Sequence, residues 1–70
     1  MDMQTIDSNM IDAVGYDPET QELHIRFKTN GVTHIYQDVP PEKFQGLLSA
    51  KSAGKYFHGH IKSHVSRKAH

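Results

Sequence analysis

Residues 22–41 read ELHIRFKTNGVTHIYQDVPP, and the fold turns on how that stretch divides. From Glu22 to Thr29 the side chains alternate: Leu23, Ile25 and Phe27 fall on one side, His24, Arg26 and Lys28 on the other. A strand sends successive side chains to opposite faces, so this alternation predicts a strand with one face in a core and one in water. Asn30-Gly31 then supplies the residue types preferred at the two φ > 0 positions of a tight hairpin turn. Val32 to Asp38 is the returning strand, on which His34 and Tyr36 share a face. Pro40-Pro41 ends the sheet, because neither proline can donate to a ladder.

Upstream, Ile11 to Tyr16 reads as a short strand with Val14 and Tyr16 on one face. Asp17-Pro-Glu-Thr20 follows, where proline's fixed φ suits the second position of a turn. Downstream, Pro41 suits the first position of a helix, and Glu42 lies at the positive end of its dipole. Phe44, Leu47 and Leu48 recur at helical spacing and predict a helix from Pro41 to about Ala50. Ser52 is the N-cap expected for a second helix, whose buried stripe comprises Ala53, Tyr56, Phe57, His60, Ile61 and His64. Gly54 and Gly59 each weaken that helix by about 1 kcal/mol relative to alanine, so it depends on packing. The expected fold class is α+β, a three-stranded antiparallel β-meander followed by two helices packed on one face (β-β-β-α-α). Residues 1–7 are expected to be disordered, 8–65 to form a single domain, and 66–70 to be a flexible basic tail.

At 70 residues the chain is near the lower limit for folding around one small core, and it has no cysteine to staple it. No apolar run approaches a membrane-spanning length and no signal-peptide pattern opens the chain, so a cytoplasmic protein of a bacterium or phage is expected. The net charge of zero hides a division. Residues 1–42 hold all eight acidic side chains against Arg26 and Lys28, whereas residues 43–70 hold six cations and no acid. The halves thus carry −6 and +6, as expected of a polyanion-facing surface or of charge pairing between proteins.

The order and spacing of several short motifs resemble the KTSC domain. They are Ser8 with Ile11, Val14-Gly-Tyr-Asp-Pro18, Leu23-x-Ile-x-Phe27, Gly31, Val39-Pro40, Ser52-x-Gly54-x-x-Phe57 and Ile61-Lys62. Two positions depart from that family. Its central Tyr-x-Tyr stands here as His34-Ile-Tyr36, and its aromatic, basic ending is reduced to His64-Val-Ser-Arg-Lys68. The family also occurs at the C-terminus of some lysyl-tRNA synthetases, so the resemblance implies RNA as the first ligand to consider.

Three constellations could carry function. The first is the basic half: Lys51, Lys55 and Lys62 lie on and around the second helix, and Arg67 and Lys68 extend the charge. Ser52-Ala-Gly-Lys55 at a helix start offers free N–H groups and a lysine, a reasonable phosphate corner. Glycine there also suits close helix packing, and the segment lacks the spacing of a P-loop. Candidate nucleic-acid contacts are therefore Lys51, Ser52, Lys55, Lys62, Arg67 and Lys68, with Arg26, Lys28 and Tyr36 secondary. The second is His34 with Tyr36, either a stacking platform for bases or part of the core beneath the helices. The core is the expected reading, because the helices must cover this face, and it leaves Ile35 exposed on the other. The third is His60 with His64, spaced to share a metal but without a third ligand nearby, so no metal or cofactor is expected. Catalysis is not expected either, since no nucleophile motif or positioned carboxylate pair is present. Expected partners are RNA or another polyanion, or else a host or cellular protein. No membrane is expected among them, and the chain itself should be a monomer or self-associate weakly.

Overall fold

The computed structural model describes residues 3–69. The fold is α+β, an antiparallel sheet with two helices. Its elements are β1 (Gln4–Thr5), β2 (Ile11–Asp17), β3 (Glu22–Phe27), β4 (Thr33–Tyr36), α1 (Pro41–Ser49), α2 (Ala53–Tyr56) and β5 (Ser66–Lys68). A π-helical turn, Phe57–Ile61, continues α2. Strand order in the sheet is β1-β2-β3-β4-β5.

β2, β3 and β4 form the expected antiparallel meander, with Val14 opposite Ile25 and Leu23 opposite Tyr36. A two-residue turn at Asn30-Gly31 would have set Leu23 opposite Asp38 instead. The sheet is nevertheless two strands wider than the expected three. Gln4 and Thr5 pair with Val14 and Ala13, and Ser66, Arg67 and Lys68 pair with Tyr36, Ile35 and His34. Residues 4–5 and 66–68 therefore belong to the sheet rather than to a disordered start and a flexible tail. Met1, Asp2 and His70 of those segments lie outside the described residues. Both added strands are short and polar, so no alternation betrays them. Free ladder groups on β2 and β4 recruit them.

The helices cover the face bearing Val14, Leu23, Ile25 and Tyr36, and the core closes on it with Ile11, Val39, Leu47, Ala53, Phe57 and Ile61. Ile11, Leu23, Ile25, Leu47 and Ile61 are fully enclosed. Burial of each such side chain stabilises the fold by about 1.5–3 kcal/mol. Ile35, expected on the exposed face, is only 6 % accessible. The cause is β5, which turns β4 from an edge strand into an interior one and sets Arg67 beside Ile35, opposite His24.

Both hairpin loops differ from tight two-residue turns. Gln21 N–H donates to Asp17 O (2.8 Å) and Gly31 N–H to Phe27 O (3.0 Å), so each loop takes four residues. Only the last residue of each is left-handed, Gln21 (φ 59°) and Gly31 (φ 69°). The second helix also departs from its expected stripe. Ala53, Phe57 and Ile61 are buried, whereas His60 is exposed. Lys62 N–H reaches Phe57 O (2.9 Å), an i→i+5 bond that spreads the turn over more residues. That wider turn holds Phe57 and Ile61 on the core face and swings His60 out.

Candidate functional site

Charge in the sequence becomes position through the ends of the strands. Val39 N–H donates to Gln21 O (2.9 Å) and Tyr16 Oη to Val39 O (2.6 Å), tying the segment after β4 to the β2–β3 loop. Asp17, Glu19, Glu22, Asp38 and Glu42 consequently gather at one end of the sheet. Burial raises the Tyr16 phenol above its ordinary range, and the Glu42 and Asp17 carboxylates push it the same way. At the opposite end Lys28 N–H donates to Met10 O (2.9 Å), and Met10 packs beside Gly54 at the start of α2. Ala69 N–H donates to Thr33 O (2.8 Å) and brings Lys68 to that end as well. Lys28, Lys51, Lys55 and Lys68 are all exposed there.

The remaining sequence candidates divide by what holds them. Lys62 is exposed where the π-helical turn ends. Arg67 reaches back to Glu22 (Nη1–Oε2 3.2 Å) and so lends its charge to the acidic end. Arg26 is paired with Asp12 on the outer face of the sheet (Nε–Oδ2 2.8 Å). Ser52 acts as the N-cap, its Oγ accepting Lys55 N–H at 3.3 Å. With Lys51 it borders an open groove of about 280 Å³ against residues 7–10, which Asp7 lines from the other side. Tyr36 is corrected as a surface contact. It is 6 % accessible, with its ring edge-to-face against Phe57 at 5.3 Å. Burial raises its phenol above the ordinary range, while the Ser66 hydroxyl beside it works the other way. A ring so enclosed has no face to give a base.

His34 behaves differently from Tyr36. Its strand partner Lys68 is the outer residue of β5, and His34 stays half-buried at the rim. Phe27 stands edge-to-face to it at 5.7 Å and to Phe57 at 5.4 Å. His34 lies 6.4 Å from Tyr36, so Phe27, His34, Tyr36 and Phe57 close a ring of rings. Exposed His58 extends it, 5.4 Å from Phe57. The sequence placed Phe27 in the core and passed over His58. The expected tight turn would have set Phe27 directly opposite His34, whereas the four-residue loop sets Ile25 there and leaves Phe27 diagonal to it. The Lys68 neighbourhood required a strand with no signal of its own.

His60 and His64 go to separate partners. His60 packs against Tyr56, ring centres 4.3 Å apart. His64 is held by Lys43 on α1, whose Nζ lies 2.8 Å from Nε2 and donates to His60 O at 2.9 Å. An ammonium has only hydrogens to give, so Nε2 accepts and Nδ1–H donates to Gln37 O at 3.0 Å. Among the described residues no three His, Asp or Glu side chains converge on a point that could hold a metal. Nor, among them, is any helix long and apolar enough to cross a membrane.

Comparison with known proteins places this arrangement. The KTSC domain profile matches residues 7–64. A protein of Tsukamurella paurometabola is 48 % identical over 60 residues, covering 86 % of this chain and 88 % of the relative. A protein of Stutzerimonas stutzeri is 42 % identical over 52 residues, covering 74 % and 72 %. The crystal structure of a KTSC domain protein from Yersinia pestis superposes with a TM-score of 0.93 at 37 % identity, covering 99 % of this chain and 97 % of that one. Motif order, fold and relatives agree, and the chain belongs to the KTSC domain family.

Proposed function

We propose that this domain is a small, non-catalytic nucleic-acid-binding module, with RNA as its ligand, held through phosphate contacts from its basic end. The observation that carries the reading is the gathering of Lys28, Lys51, Lys55 and Lys68 at one end of the sheet, away from the acidic cluster at the other. Lys62 is exposed but stands apart from that surface, because the π-helical turn ends beside His64, which reaches Gln37 at the other end of β4. The ammonium groups outnumber the one carboxylate beside them, Asp7 across the groove from Lys51. Such groups release counterions from a phosphate backbone, and that release is the larger part of sequence-independent affinity. Titration of labelled tRNA and of single-stranded RNA at low and at physiological salt tests it. Binding that weakens steeply with salt is the expected result. Absence of binding at low salt, where a cationic surface has its greatest affinity, defeats the proposal.

A second reading rests on the same separation of charge. Acidic and basic ends on one small body suit docking onto another protein, or onto a second copy, without nucleic acid. Light scattering across ionic strength distinguishes self-association from it.

A further inference from the structure

The half-buried rings at the basic end have a chemistry of their own. Phe57 and Tyr36 are closed into the core at 4 % and 6 % accessibility, whereas Phe27 and His34 keep part of their surface open. Lys68 is the cross-strand neighbour of His34 and lies on the same face of the sheet. Lys28 follows Phe27 directly, and exposed His58 abuts Phe57. Asp17, Glu19, Glu22, Asp38 and Glu42 are gathered at the far end, and Asp12 is held by Arg26. Aromatic surface bordered by cations in this way suits a ligand that is flat, apolar on its faces and anionic along its length.

We infer that Phe27 and His34, flanked by Lys28 and Lys68, form a stacking site for a base of an unpaired nucleic-acid strand. The site rests on the nucleic-acid reading above and narrows it. A base inside a duplex has both faces covered by its neighbours and cannot reach a ring on a protein surface, whereas an unpaired base can turn out and stack. Lysines beside the rings then meet the phosphates on either side of that base. The domain distinguishes strand from duplex through the rings, and its affinity for either through the lysines.

Fluorescence anisotropy tests this with a labelled oligouridylate of about 12 nucleotides, within the site sizes of small strand-binding domains, against an RNA duplex of similar length. The strand is expected to bind roughly tenfold tighter than the duplex at equal salt, the scale of one base–aromatic stack. His34→Leu keeps apolar bulk but removes the imidazole, and should erase most of that preference while leaving the salt slope unchanged. His34→Tyr should match or exceed the parent. Lys68→Gln should weaken both ligands and flatten the salt slope for the strand by about 0.7, the value of one phosphate contact. Amide spectra of each variant confirm that the fold is kept, and His34→Gln serves in place of His34→Leu if it is not. Equal affinity for strand and duplex, or parental binding by His34→Leu, overturns the stacking site and leaves phosphate binding standing. If the parent binds neither RNA at low salt, both the site and the proposed function fall.

Discussion

Gly46 and Gly54 both sit in helices, and only at Gly46 does a neighbouring side chain occupy the space a Cβ would take. A Cβ built on Gly46 would run into the Tyr56 ring and hydroxyl, which lie directly over that turn of α1. The same atom on Gly54 would meet Met10 at 3.7–3.9 Å, an ordinary contact. Alanine favours a helix interior over glycine by about 1 kcal/mol, but forcing a methyl into an occupied space costs about 1–3 kcal/mol. Gly46→Ala should therefore lower the thermal midpoint, Gly54→Ala should hold or raise it, and Tyr56→Leu added to Gly46→Ala should recover part of the loss. Circular dichroism melts decide. A midpoint for Gly46→Ala at or above the parent would show that Tyr56 moves aside freely. From the sequence Gly54 was the glycine that suggested close packing and Gly46 suggested nothing, because the partner is ten residues away, across a helix–helix contact. By contrast, enclosure of Tyr36 was legible: a sheet of this size needs its apolar face covered, and Tyr36 sits beside Leu23 on it.

β5 shows how an element without a pattern of its own is held in place. Its residues Ser66, Arg67 and Lys68 are all exposed. Beside it Gln37 N–H donates to Val65 O (2.9 Å) and Ala69 N–H to Thr33 O (2.8 Å). Besides the Arg67–Glu22 pair, a side-chain fastening comes from His64, bridging Lys43 on α1 to the Gln37 carbonyl. A net contribution of about 1.5–3 kcal/mol is typical where a hydrogen bond involves a charged group, as the Lys43 bond does. His64→Ala should therefore raise amide exchange at Gln37 and Ala69 by roughly tenfold or more while leaving Val14 and Ile25 in the central strands as protected as before. Parental protection at both amides would show that the ladder alone retains β5. Helical spacing made His60 and His64 look like a metal pair. The π-helical turn separates them, and nothing in FHGHI announces such a turn beyond a glycine.

On the scale of the whole molecule, the −6 and +6 halves of the sequence were legible, but not where they would lie. Folding gathers Asp17, Glu19 and Glu22 with Asp38 and Glu42 through loop-to-loop hydrogen bonds that no periodicity encodes, and it returns Arg67 to the acidic end. The result is a body of 28 × 26 × 22 Å, with an acidic cluster at one end and a lysine cluster at the other. At about 0.1 M salt the screening length is roughly 10 Å, so neither end feels the other and each meets its partners as a separate surface. At about 0.01 M it is roughly 30 Å, comparable with the molecule itself. Two copies then attract when the basic end of one faces the acidic end of the next. Such a contact uses two different surfaces, so it continues as a row or closes into a ring of several copies. Light scattering should accordingly show a monomer at physiological salt and a mean mass that climbs with concentration at about 0.01 M. Lys55→Glu with Lys68→Glu, which removes the basic end, should keep the low-salt form monomeric, and RNA added to the parent should do the same by occupying that end. A parent that stays monomeric at every salt and concentration excludes association between copies. A low-salt mass that settles at twice the monomer, or that persists in the double variant, would place the contact on some other surface.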